Sequence, residues 1–322
     1  MAMVLNEKYT GPGSTYLFYS NRALKIYPIY ILILILSIAV STIMYREGLP
    51  STFDYYLKYA HPSVWSVIFM TVVNIVAIGL ETLFLLGVDG HGNLYFTPYF
   101  MQSKPNVYNF AFNPIAWTIG VELIFYLIAP WLTRRKVFVL FVLLLISLGF
   151  RIWLAHIYYD SAPWNYMFFP TQLMFFAAGI LSYRLYNHYP FEKFDKMVLR
   201  AANGVFVVII LVYYYVLDES YGKQIGLFVA TAFLIPFTFE LTKRNKIDRY
   251  LGNISYPIYV SQFLVIRFVN ANKFPKVISK GFTALLIDII LAIILEKMIG
   301  DSIERFRQKR LGQLTPSRSL PQ

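Results

Sequence analysis

Runs of about twenty apolar residues recur along the chain, separated by short connections rich in lysine and arginine, and that pattern excludes most soluble folds. A run of this length crosses the ~30 Å hydrocarbon core of a bilayer as a helix. In that medium a helix is favoured because it satisfies its own backbone polar groups. Such runs lie at 22–45, 65–87, 113–132, 137–158, 167–186, 201–217, 224–241, 251–270 and 278–300. Hydrophobic residues make up 57% of the chain and charged residues only 14%, which points the same way. The expectation is an all-α polytopic membrane bundle of eight or nine spans over residues 1–300, followed by a basic tail at 301–322.

The net charge of +12 does not signal nucleic-acid binding, because the basic residues lie between spans and not on one soluble face. It signals a bilayer partner and an orientation. Arg134 to Lys136, Lys193 with Lys196 and Arg200, Lys243 to Arg249, and the tail all fall on one side, cytoplasmic by the positive-inside rule. Arg22 and Lys25 belong on that side too, yet three full crossings between them and Arg134 would put them opposite. Eight full crossings plus one irregular early segment resolve the conflict. The chain has no cysteine, hence no thiol nucleophile and no disulfide, and no His/Asp/Glu cluster has metal-ligand spacing. Residues 1–21 read as a polar lead-in with a turn at the GPGS stretch, without a cleavable signal. The connection 88–112 is long, aromatic and poor in charge, which argues for a functional loop.

The run at 113–132, NPIAWTIGVELIFYLIAPWL, is the most informative. It carries one carboxylate, Glu122, which costs about 2.5–3.5 kcal/mol near the centre of a membrane helix. Thr118, Glu122 and Tyr126 recur at i, i+4 and i+8 and so share one stripe, with Trp117 at its start. The stripe either pairs with a buried cation or faces a polar cavity used for chemistry. Arg151 sits inside the next run, with Glu122 as its natural partner and Glu81 as the competitor. Arg22 and Lys25 lie one turn apart at a helix start, positioned for anchoring or for anion binding. Ser255, Tyr259 and Gln262 form a polar stripe on an otherwise apolar run, either helix glue or a cavity wall. Of His61, His91, His156 and His188, the strongest base candidate is His91, in DGHGN beside Asp89; interfacial placement is the alternative for each.

WTIGVELIFYLIAPWL resembles the tryptophan–glutamate–tyrosine–proline signature of the acyltransferase 3 family of integral membrane acyltransferases. RALKIYP is similar to that family's R-x-x-R-I-x-P, with Lys25 for the second Arg. LGNISYPIYVSQ, FFAAGILSYRLY and SIERF resemble three further motifs, in the family's order. The resemblance implies transfer of an acyl group, commonly acetyl from acetyl-CoA, to a hydroxyl of a polysaccharide or lipid-linked glycan at the bacterial inner membrane. Acyl-CoA would be a substrate, with no permanently bound cofactor. Glu122, Trp117, Tyr126 and His91 would then be catalytic candidates, while Arg22, Lys25 and Arg151 would bind the donor. Ser255, Tyr259 and Gln262 would line the substrate side. The family pattern also implies two further helices ahead of residue 1, the first with a His, and a second His where this chain has Gln262. An inactive remnant is the alternative reading, and a glycan flippase a more distant one.

Overall fold

The structure, a computed structural model, describes residues 1–9, 11, 13–157, 162–215, 221–271 and 279–312. Tyr158, Tyr159, the start of the last apolar run at Ile278 and the Pro/Ser-containing end of the tail lie outside the described residues. Among the described residues twelve α-helices follow in order: α1 (Ala2–Lys8), α2 (Ser14–Arg46), α3 (Thr52–Asp54), α4 (Val64–Val76), α5 (Trp117–Leu132), α6 (Val137–His156), α7 (Phe169–His188), α8 (Lys196–Tyr215), α9 (Tyr221–Thr242), α10 (Lys246–Asn270), α11 (Lys280–Leu295) and α12 (Asp301–Gly312). The architecture is an all-α membrane bundle. Among the described residues, five helical segments are long and apolar enough to cross a membrane: Ser14–Arg46, Pro114–Leu132, Val137–His156, Lys196–Tyr215 and Gly222–Thr242.

Two early expectations need correcting. Residues 1–21 are not a polar lead-in. Ala2 and Leu5 of α1, together with Tyr9, are buried, and α2 begins at Ser14, just after Gly13 in a left-handed conformation (φ 75°). Leu17 and Phe18 in the first turns of α2 pack into the core, which is why the helix starts two turns before Arg22. Arg22 and Lys25 are therefore inside α2 and not at its start, and Pro28 interrupts its middle.

The run at 65–87 is not a continuous span either. Its helix, α4, has 13 residues and covers about 20 Å, short of a ~30 Å core. It stops at Ala77 in a left-handed conformation (φ 62°), and Glu81 lies in a following 3₁₀ turn. Ending a helix at membrane depth leaves carbonyls in need of donors. α2 supplies them: the Tyr30 hydroxyl donates to the Asn74 carbonyl and the Tyr27 hydroxyl to the Val76 carbonyl (2.6 Å). The Asn74 side chain in turn accepts from the Phe112 amide (3.0 Å).

The long connection before α5 folds over this broken segment. Two short antiparallel strands, β1 (Leu86–Val88) and β2 (Leu94–Phe96), make a hairpin with Gly87 opposite Tyr95. Phe84, Phe100, Val107, Phe110 and Trp117 bury a second apolar cluster beneath it. The main core is built around α2, where Tyr30 and Ile33 are fully buried, and around α5, where Phe125 stacks on Phe176 (centroids 3.9 Å apart). By contrast α8 turns Val205, Val208, Leu211 and Tyr214 outward, the surface that lipid covers in a membrane protein. At the end of the bundle away from the basic links, Arg267 of α10 donates to Thr52 (2.6 Å) and Ser41 (3.3 Å), tying α3 and α2 together.

Gly120 lets the broken segment approach α5. An added Cβ would lie 2.6 Å from both the Ala77 carbonyl oxygen and Glu81 Oε2. Gly120→Ala should destabilise the protein by about 1–3 kcal/mol in thermal unfolding. Gly149→Ala, in α6 with nothing within 4 Å, should be neutral or slightly stabilising.

Asp54 caps α3 by accepting from the Ser51 amide (2.7 Å), and it pairs with Lys58 (2.6 Å). Burial pushes its carboxyl up, but the Lys58 and Ser51 contacts outweigh that and hold it below the ordinary carboxylate value. A depressed carboxylate stabilises the fold above its unfolded value of about 4, and that contribution fades as pH falls through the folded value. Thermal unfolding of wild type should therefore show an acid-dependent loss below about pH 4 that Asp54→Asn lacks.

Candidate functional site

One cavity of about 910 Å³ brings together seven charged side chains from α1, α2, α5, α10 and α12. Its walls come from α1 (Met1, Val4 and Lys8, with Tyr9 just beyond), α2 (Arg22, Lys25, Ile26), α5 (Glu122, Phe125, Tyr126), α7 (Phe176), α10 (including Arg249, Ser255 and Tyr256) and α12 (including Glu304 and Arg307). Glu122 lies ten residues before Leu132, so it sits about 15 Å along α5 from the basic link at 133–136. The cavity thus runs from the basic end of the bundle to roughly its half-depth.

Helical spacing puts Tyr126 one turn after Glu122, and its hydroxyl donates to Glu122 Oε1. The Arg22 guanidinium lies over the Tyr126 ring (5.2 Å) and over Phe18 (5.6 Å). Such cation–π contacts hold the cation without neutralising it. Arg22 Nε is buried and has no hydrogen-bond partner among the described residues. The cavity counts five basic side chains (Lys8, Arg22, Lys25, Arg249, Arg307) against two acidic ones (Glu122, Glu304). The arrangement offers an anion site at its mouth and, deeper in, a carboxylate positioned by a phenol.

The stripe predicted on α5 is present, and its upper member turns to α10. Thr118 donates to the Tyr259 hydroxyl (2.6 Å), which itself donates to the Ile115 carbonyl. Tyr259 thereby staples α10 to the start of α5. Ser255 lines the cavity, with its hydroxyl on the Gly252 carbonyl (2.8 Å). Gln262 is half-buried, one turn beyond Tyr259. Trp117 is buried in the second cluster, edge-on to Tyr166 at 5.0 Å, five residues from Glu122 and outside the cavity wall.

Arg151, Glu81 and His91 lie away from this group altogether. Arg151 lines a separate crevice with Phe175, Tyr213, Gln224 and Phe228, its guanidinium 5.7 Å from the Phe175 ring. Its position on α6 points it to α7, α8 and α9, so it does not partner Glu122, and the cations facing Glu122 come from α2. Glu81 packs against the Gly120 backbone, not beside Arg151. His91 sits exposed at the tip of the β1–β2 hairpin, where its amide donates to Asp89 (2.9 Å). That hairpin contributes no residue to the cavity, so the geometry does not bring His91 to Glu122.

The sequence reading missed Arg307, Arg249 and Tyr256. The Tyr256 hydroxyl donates to the Ile26 carbonyl (2.7 Å) and locks α10 on α2 beside the cavity. For α12 a signal existed: Glu304, Arg307, Gln308 and Leu311 recur at helical spacing on one face.

The combination of a membrane bundle with a carboxylate–phenol pair under a cationic mouth coincides with a family profile described as an acyltransferase domain, which matches residues 2–296. The chain belongs to the acyltransferase 3 family. No curated protein and no solved structure matches it. In this membrane acyltransferase the family match ends before α12, although α12 closes the cavity. Arg310 of α12 donates to Asn21 (3.0 Å) and Ser20 (2.8 Å) of α2, and Asn21 donates to the Tyr9 hydroxyl (3.1 Å). Arg310→Ala should loosen that closure. Amide hydrogen exchange in 301–312 should rise about tenfold, with α5 amides unchanged.

Proposed function

We propose that the cavity binds acyl-CoA and that the protein transfers its acyl group, acetyl in the first instance, to a hydroxyl of a cell-surface polysaccharide or lipid-linked glycan. The membrane would be a bacterial inner membrane, with the basic end of the bundle facing the cytoplasm where acyl-CoA is made. The observation that carries this reading is the joint placement of Glu122 and Tyr126 with Arg22 and Lys25 in one cavity. Acyl transfer from acyl-CoA is helped by a grip on the donor's phosphates and by a proton acceptor near the reacting carbonyl, and the basic residues and Glu122 of the cavity support that reading.

In the proposed reaction the acceptor oxygen attacks the thioester carbonyl and its proton passes to Glu122. A C–O bond forms, the C–S bond breaks, and the departing thiolate takes that proton from Glu122 to leave as free coenzyme A, which restores the carboxylate. Tyr126 orients the carboxylate through its hydrogen bond. Arg22 and Lys25 hold the donor's phosphates, where the forked guanidinium suits a phosphate better than an ammonium does. Phe125 and Phe176, stacked on the cavity wall beside Glu122, would bound the acyl group, while Trp117, outside that wall, would only pack the start of α5. Ser255 would contact the ligand within the cavity, while Tyr259 fixes the wall between α5 and α10.

Membranes containing the protein should move radiolabelled acetyl from acetyl-CoA into envelope glycan. Glu122→Gln should lower the rate by about 10²-fold or more at unchanged protein level, and Arg22→Gln should chiefly raise KM for acetyl-CoA. Full activity of Glu122→Gln at normal abundance would remove Glu122 from the mechanism.

A further inference from the structure

The helix α12 lies beyond the family match, yet it forms one whole side of the cavity. Its residues Glu304, Arg307, Gln308 and Leu311 line the cavity, Arg307 being the buried one among them, while Arg305, Phe306 and Lys309 are exposed and do not line it. Arg307 is 7% exposed, far below what an arginine in a basic surface helix would show. One edge of its guanidinium is used, with Nη1 on Glu304 Oε2 at 2.5 Å. Its Nε is buried and has no hydrogen-bond partner among the described residues, the same condition as Nε of Arg22 on another wall of the same cavity.

Buried donors are nearly always satisfied in a working state, so two unspent guanidinium donors in one cavity point to a ligand with several acceptor oxygens. The excess of basic over acidic lining favours an anion. A phosphate group meets both demands, and arginine reads it through two parallel donors. The binding of α12 to α2 through Arg310 fixes the distance between the two arginines.

We propose that α12 is a donor-binding element in which Arg307 holds a phosphate of the acyl-CoA across the cavity from Arg22. The inference rests on the acyl-CoA reading of this cavity and adds to it a residue and a helix that the family match does not include.

The test is binding of coenzyme A and of adenosine 3′,5′-bisphosphate by calorimetry, with the full chain in phosphatidylcholine nanodiscs so that no anionic lipid competes. Arg307→Gln should weaken both ligands by about ten- to a hundredfold, the loss expected for one charged hydrogen-bonding partner. Arg305→Gln removes the same charge from the exposed face of the same helix and should change either affinity less than about twofold. Hydrogen exchange on wild type provides a measurement free of folding effects: coenzyme A should protect the amides of 301–312. Arg307→Gln binding as tightly as wild type, or no protection of α12 by bound coenzyme A, overturns the inference and leaves the acyl-CoA reading standing. Wild type that binds neither ligand overturns both.

Discussion

A carboxylate in the middle of an apolar helix is tolerated only where the fold brings water, donors or cations to it. Glu122 imposes that condition on everything around it. Tyr126 meets it from the same helix, Arg22 and Lys25 from α2, and the cavity supplies the polar volume. The position of α2 is then fixed from its other side as well. Its tyrosines 27 and 30 cap the broken end of α4, and its Ile26 carbonyl accepts from Tyr256 of α10. A single long helix therefore anchors the half-crossing segment, the acidic helix and the cavity mouth together.

Much of this was legible in residue order because it depends on spacing within one helix. The Thr118–Glu122–Tyr126 stripe needs only 3.6 residues per turn, and the long apolar runs needed only counting. The irregular early segment was legible as a contradiction, since the charges at Arg22 and Arg134 could not share a side across three full crossings. Which run was irregular was not legible. The sequence 65–87 is apolar enough to span, and only the tyrosine donors of α2 make a stop at Ala77 affordable.

What stayed hidden depends on contacts between distant segments. Arg151 and Glu122 looked like partners because each is a lone charge in an apolar run, but opposite charge carries no information about which way two helices face. Residues 1–21 looked polar because their buried apolar positions, Ala2, Leu5, Tyr9, Leu17 and Phe18, are interspersed with polar and charged residues and a GPGS turn. Arg307 was hidden among the many basic residues of 301–322, where charge alone suggests a solvated tail. Its burial follows from α12 docking on α2: the spacing of Glu304, Arg307, Gln308 and Leu311 marks one face of the helix but does not name the surface that covers it.

The bond between Ser20 and Arg310 joins residues 290 positions apart. A ribosome must therefore deliver all the intervening helices to the bilayer before the cavity acquires its last wall. Until then the contacts of Arg310 with Ser20 and Asn21, which hold α12 against α2, cannot form. Competence at this site is consequently a property of the finished polypeptide and cannot accrue helix by helix, so damage confined to 301–312 would reach the centre of the bundle.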